Sequence, residues 1–284
     1  MDLYKFCQRE GTPEQARQAV FTLAALANKD INTNLKEQQI FFAPLLKSLT
    51  SSSNLNLSGN DEKNENLISV FSALTALVEC APMLFMNNEK NDRGKRAIRF
   101  ALDCVLLGKN QTGTDSSREH EGDSMEVDSP PKRRNSKKHK DEINLSVSCR
   151  LVVAVIDFLV CHIRFSILQS RKKMNTTKNS IISLPSNEHI ATIFDVLINL
   201  INDKGLFSAN HNLQNCSTSH ERSSLRKCAS VSLLRLCDGS LNIESRFLSQ
   251  KNWHLLSKAF VDEESQVRGT FCLMYAFAFY PRQI

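Results

Sequence analysis

Apolar residues along this chain recur three and four positions apart, in blocks separated by polar stretches. Ala16, Ala19, Val20, Leu23, Ala24 and Ala27 form the first stripe, with the spacing of one face of an α-helix. The TPEQ before it supplies Thr12 as an N-cap, Pro13 at the first helical position and Gln15 as the return partner of a capping box. A helix is therefore predicted from Thr12 to Asn28. A second is predicted from Ile40 to Leu49, bent at Pro44. After the polar spacer SSSNLNLSGNDEKN, the positions Leu67, Phe71, Leu74, Leu77, Val78 and Ala81 predict a third helix ending near Pro82. Asp92 can cap a fourth that runs to Leu107, which makes two antiparallel pairs.

The pattern then stops. Gly108 to Glu142 has no apolar period, and its acidic, Ser-rich half is followed by SPPKRRNSKKHK, so this stretch is predicted to be a disordered linker. Helical spacing resumes over Ile143 to Leu168, over Glu188 to Ile201 with Ile190, Ile193, Phe194, Leu197, Ile198 and Ile201 inward, and over Ser223 to Cys237, Ser249 to Val261 and Ser265 to Tyr280. Residues 1–107, 108–142 and 143–284 are thus expected to be helical pairs, linker and open-ended helical repeats.

Leu225-Arg226 and Val267-Arg268 begin two similar helices, and both offsets, 267 − 225 and 268 − 226, equal 42 residues. That period lies within the roughly 40–47 residues of HEAT and armadillo units. In such a unit neither helix buries its apolar face alone, so neighbours stack into a one-dimensional core. The expected fold is all-α, a right-handed α-α superhelix of HEAT/armadillo type. Arg226, Asp262 and Arg268 occupy positions suited to a ladder of contacts between units, and Arg268 is expected to bridge an acidic group across the stack. The final helix, FCLMYAFAFYP, is apolar almost all round, so Phe271, Tyr275, Phe277 and Phe279 are expected to leave an apolar patch.

Composition agrees with long helices: nine Gly and seven Pro offer few tight turns, and 41% hydrophobic residues suffice for a continuous core. Leu145 to Leu168 has the length of a membrane span, but Arg150, Asp157, His162 and Arg164 interrupt it, so a buried solenoid helix is expected and no membrane partner. The N-terminus lacks the apolar core of a secretory signal, which points to an intracellular chain. Nine cysteines without a CxxC, most at apolar helical positions, read as small reduced core residues.

Candidate chemistry is sparse. His211, Cys216 and His220 form an HxxxxCxxxH string with three of the four ligands zinc requires, yet a polar loop explains the same residues, and no metal or cofactor is expected. No Gly-rich phosphate loop or nucleophile elbow is present, and His162 and His254 lie beside apolar neighbours where packing is the usual role. No catalytic residue is assigned. Lys132, Arg133, Arg134, Lys137, Lys138 and Lys140 form a basic string suited to an importin-type carrier and hence to nuclear entry. Ser129, in SPPK, and Ser136, in RRNS, are candidate phosphorylation sites, where a charge of roughly −1.5 to −2 would oppose that string. The net charge of +6 permits an anionic partner. Arg93, Lys95, Arg96 and Arg99 make a basic helix face without interleaved aromatics, which weakens single-strand binding and leaves direct DNA contact undecided.

Four segments, LYKFCQREGTPEQARQAV, FFAPLLKSLTSSSNL, SSLRKCASVSLLRLCD and AFVDEESQVRGTF, taken in order, resemble the cohesin-associated HEAT family named for precocious dissociation of sisters, the fifth of that series. GTPEQA and DEESQVR carry most of the specificity, and the linker departs from the family. The resemblance implies a regulator of sister-chromatid cohesion that contacts the kleisin subunit of cohesin and works with the release factor Wapl and the acetylation machinery. It also implies that the chain corresponds to a central segment of longer proteins, outside the part that docks Wapl-type peptides, so that interaction is not carried over. The expected function is a non-enzymatic nuclear scaffold. The alternatives are another helical-repeat adaptor, for transport or a phosphatase, and a zinc- or thiol-dependent enzyme.

Overall fold

The computed structural model describes residues 11–30, 35–57, 61–85, 92–109, 145–176, 186–207, 218–237 and 250–279. Their regular structure is entirely helical. The elements are α1 (Pro13–Asp30), α2 (Leu35–Leu49), α3 (Asp61–Cys80), a 3-10 turn (Pro82–Leu84) and α4 (Asp92–Arg99), which runs on as π-helix through Phe100–Leu106. Then come α5 (Val147–Thr176), α6 (Asn187–Asn202), α7 (Ser219–Leu236), α8 (Gln250–Ser257) with a 3-10 extension (Lys258–Val261), and α9 (Ser265–Phe279).

Local chemistry accounts for the starts. Gln15 N–H donates to Thr12 Oγ1 at 3.3 Å and Thr12 N–H to Gln15 Oε1 at 2.9 Å, a reciprocal box that opens α1. Ser186 caps α6 by accepting from His189 N–H. A second box, Thr218 with Glu221, opens α7 four residues before the predicted start at Ser223. Pro44 lies inside α2 without ending it. The long central helix continues to Thr176, beyond the predicted end at Leu168, and α8 tightens to 3-10 after Ser257 instead of staying α-helical to Val261.

The helices stack in two layers. In one, α1 packs on α3, α3 on α5, α5 on α7 and α7 on α9; in the other, α2 meets the 3-10 turn and α4, and α6 meets α8. Contacts of α6 with α7 and of α2 with α3 join the layers. The 42-residue offset thus relates neighbours within the odd-numbered layer, where Leu225 and Val267 are both buried. This is an all-α helical-repeat fold, with a core that runs along the stack.

Phe158 of α5 lies at its centre, with ring centroids 5.5 Å from Phe71 and 6.0 Å from Phe85, and Phe71 stacks on Phe100 at 6.3 Å. Burying each such ring contributes about 1.5–3 kcal/mol. The segment Val147–Gln169 is apolar enough to cross a bilayer, but its neighbours α3 and α7 cover it, and Arg150 and Asp157 within it are paired with charges on other helices, as described below. On α9, Phe271 is buried and packs edge-on against Phe260 at 4.8 Å, which corrects its expected place in an exposed patch. The large apolar residues exposed at this end include Val261, Phe260 and Leu273; Tyr275 is half-buried, and the side chains of Phe277 and Phe279 lie outside the described residues.

After α6 the chain turns through Lys204 (φ 54°) and Gly205 (φ 79°), both left-handed. A Cβ on Gly205 would lie 2.2 Å from the carbonyl oxygen of Arg222, part of the α7 backbone and unable to swing away. Gly205→Ala should therefore destabilise the protein by about 3 kcal/mol or more, combining backbone strain with displacement of α7. Urea unfolding checks this, and a loss below about 1 kcal/mol would contradict the close approach.

Candidate functional site: an ionic ladder across the helical stack

The charged residues inside the apolar stripes of the odd-numbered helices meet one another. Arg17 of α1 reaches Glu79 of α3 at 2.6 Å and Asp157 of α5 at 3.6 Å. Asp157 also accepts from Arg235 of α7 at 2.5 Å, and the other terminal nitrogen of Arg235 donates to Cys161 Sγ at 3.0 Å. One alternating chain of charge thus crosses four successive helices. Farther along, Arg150 of α5 makes a two-pronged bond to Glu65 of α3, at 2.6 and 3.0 Å. Glu221, buried at the start of α7, accepts from Thr218 N–H, Thr218 Oγ1 and the Ser146 N–H just before α5. Burial works against its ionisation, yet the hydrogen bonds from Ser146 and Thr218 win and hold its carboxyl below the ordinary value.

A tighter clasp joins α7 to the turn before α9. Arg226 grips both oxygens of Asp262, at 2.7 and 2.8 Å, with side chains only 14% and 10% exposed, and its remaining nitrogen donates to Lys204 O at 3.2 Å. Arg268 donates to the backbone carbonyls of Asp262 and Glu263. The acidic side chain between units is therefore held by Arg226, while Arg268 braces the turn before its own helix; this corrects the role expected of Arg268. A groove of about 270 Å³ lies beside the clasp, lined by Ile201, Lys204, Arg226, Lys258, Val261 and Asp262 among others.

The remaining candidates are dispersed. Arg93, Arg96 and Arg99 are exposed on α4 and Lys95 is half-exposed; Arg96 donates to Ser52 Oγ at 2.8 Å. Lys132, Arg133, Arg134, Lys137, Lys138, Lys140, Ser129 and Ser136 lie outside the described residues, as do His211 and Cys216 of the zinc string. His220 stands in the first turn of α7. Among the described residues no three His, Cys, Asp or Glu side chains gather as metal ligands.

His162 is buried, with Ser166 Oγ at 3.3 Å from its Nδ1 and Phe85 against its ring; burial, aided by His189, lowers its pKa to about 4 and keeps it neutral. His254 is exposed, contrary to its expected packing role. Burial pushes the thiol of Cys161 up to about 11 despite Arg235 beside it, and that of Cys228 to about 12, so both stay protonated at neutral pH and are poor nucleophiles. What this arrangement does chemically is hold helices in register.

None of the ladder residues Arg17, Glu79, Asp157, Arg235, Arg150 and Glu65 was assigned a role from sequence. The available signal was a lone charge within an apolar stripe, as at Asp157, because a charge kept there calls for a partner.

Breaking one partner of a largely buried pair costs about 3–5 kcal/mol, whereas losing hydrogen bonds to carbonyls costs about 1–3. Arg226→Ala should therefore destabilise by about 3 kcal/mol or more, and Arg268→Ala by about 1–2 kcal/mol. Equal effects within about 0.5 kcal/mol in urea unfolding would contradict the assignment. Burial opposes ionisation of Asp262, but the Arg226 hydrogen bonds, the Glu264 N–H and the charges of Arg226 and Arg268 outweigh it and hold its carboxyl below the ordinary 3.8. The folded value lies below the unfolded one, so this stabilisation is present above about pH 3.8 and is lost as pH falls through the depressed folded value.

The chain was compared with known proteins. A family model described as sister chromatid cohesion protein PDS5 protein matches residues 1–275. Searches of curated proteins and of solved structures gave no match. The matched span takes in α1 to α8 and most of α9, so the clasp and the ladder both fall within it. The chain belongs to the sister chromatid cohesion protein PDS5 family.

Proposed function

We propose that this chain is a non-enzymatic scaffold that regulates cohesin in the nucleus by presenting its helical stack to the kleisin subunit. The observation that carries this reading is the use made of the polar side chains in the odd-numbered layer. Arg17, Glu79, Asp157, Arg235, Arg150 and Glu65 bind each other across helices and do not converge on a cavity. A face held in register by such pairs is preorganised, which lowers the ordering cost of binding an extended partner. The small and apolar side chains of α5 between the paired charges, among them Val153 and Ala154, are partly exposed and supply contact area. Family membership supports cohesin as the partner. The string from Lys132 to Lys140 supports uptake by an importin-type carrier.

One experiment in cells tests both parts. The tagged full chain should enter the nucleus and co-precipitate cohesin with its kleisin. Replacing Lys132, Arg133, Arg134, Lys137, Lys138 and Lys140 by Ala should leave the chain in the cytoplasm while the purified variant still binds a kleisin fragment. Recovery of phosphatase subunits or transport receptors without cohesin would favour the adaptor reading. Unchanged nuclear accumulation of the variant would remove the basic string as its import signal.

A further inference from the structure

Arg17, Arg150, Arg226 and Arg235 of the odd-numbered layer are paired with carboxylates, whereas the arginines on α4 have no such pairing among the described residues. Arg93, Lys95 and Arg99 have no carboxylate partner among the described residues, and Arg96 bonds only the hydroxyl of Ser52. The opposite side of α4 is packed: Gly94, Ala97 and Ile98 are buried, and a Cβ on Gly94 would come within 3.1 Å of Phe85 Cα. The basic side is thereby held outward. Through Ser52 it adjoins a polar hollow of about 460 Å³ whose lining includes Ser53, Asn54, Asn56, Glu62, Lys63 and Asn66. Among the described residues, α4 and its π-helical continuation carry two carboxylates, Asp92 at the start and Asp103, which is taken by Lys109 at 3.0 Å.

We infer that this face of α4, with its Ser/Asn shelf, binds the phosphate backbone of double-stranded DNA without reading its sequence. Phosphate contacts are made by Arg and Lys together with Ser and Asn side chains, the set assembled here. Arg93 to Arg99 spans about 9 Å of helix axis at 1.5 Å per residue. A duplex carries about five phosphates over that length. An acidic peptide fits less well, because Ala97, Ile98 and Phe100 are all turned inward and cannot anchor it. A single strand fits less well because among the described residues α4 presents no aromatic ring outward on which bases would stack. The choice of DNA rests on the cohesion reading, which places the protein on chromosomes.

The test is fluorescence anisotropy of a 30-base-pair DNA duplex against the full chain as salt is varied. The linker residues Lys132, Arg133, Arg134, Lys137, Lys138 and Lys140 are replaced by Gln throughout, so that they add no charge of their own. Adding Arg93→Gln, Arg96→Gln and Arg99→Gln should flatten the slope of log affinity against log salt by about 2–3, at roughly 0.9 per phosphate contact. Affinity at low salt should fall at least tenfold, with unchanged helical circular dichroism and melting temperature. The corresponding Arg→Lys triple should keep the slope. An unchanged slope in the Gln triple overturns the proposal, as does capture of polyglutamate but not duplex by the parent. Kleisin binding of the wild-type chain is scored separately, so failure of the cohesion reading would be seen as loss of that signal alone.

Discussion

A carboxylate midway along a helix apolar enough to span a membrane has to find a positive partner, and the pairing of Asp157 organises the layer around it. The sites open to such a partner are on the neighbouring helices, because the buried residues around it in α5, Val155, Ile156, Phe158 and Leu159, are apolar. Arg17 and Arg235 approach from opposite sides, and Glu79 completes the circuit through Arg17. Each contact, with side chains 22–37% exposed, is worth a fraction of what a buried pair contributes when taken singly. Their value is positional: any slip of α3 or α7 along α5 would leave a charge unpaired against apolar surface. Hydrophobic stacking drives the helices together, and the ladder sets how far along one another they sit.

That division of labour is what supports the scaffold proposed above. His162 is kept neutral and the thiols of Cys161 and Cys228 protonated, packed with the core. The ion pairs of the odd-numbered layer hold the stack in register, while the arginines of α4 stand free of carboxylates among the described residues.

Much of the fold was legible in the sequence because helix starts and apolar stripes are local signals. The Thr12–Gln15 box and the stripe after it placed α1, and the 42-residue offset identified α7 and α9 as equivalent members of a stack. The second box is harder to see in the sequence, because Thr218 and Glu221 follow the polar stretch that holds the His and Cys residues of a possible zinc string. The ladder was not legible because its members lie on four helices with no fixed spacing. Asp157 showed only that α5 was not a simple membrane span. Arg226 and Arg268 looked alike in sequence, and only the packing of α7 against the turn before α9 gives one the side chain of Asp262 and the other its carbonyl. Phe271 and Phe260 illustrate the same limit, since an all-apolar helix does not reveal which of its rings the neighbour covers.

The claim that Asp157 ties the odd-numbered helices into one stack is tested most directly by native-state hydrogen exchange on Asp157→Ala. The account predicts that amides of α1, α3 and α7 lose protection together with those of α5, because Arg17 and Arg235 lose their shared partner. A rise in exchange confined to α5, with its neighbours as protected as in the parent, would contradict it.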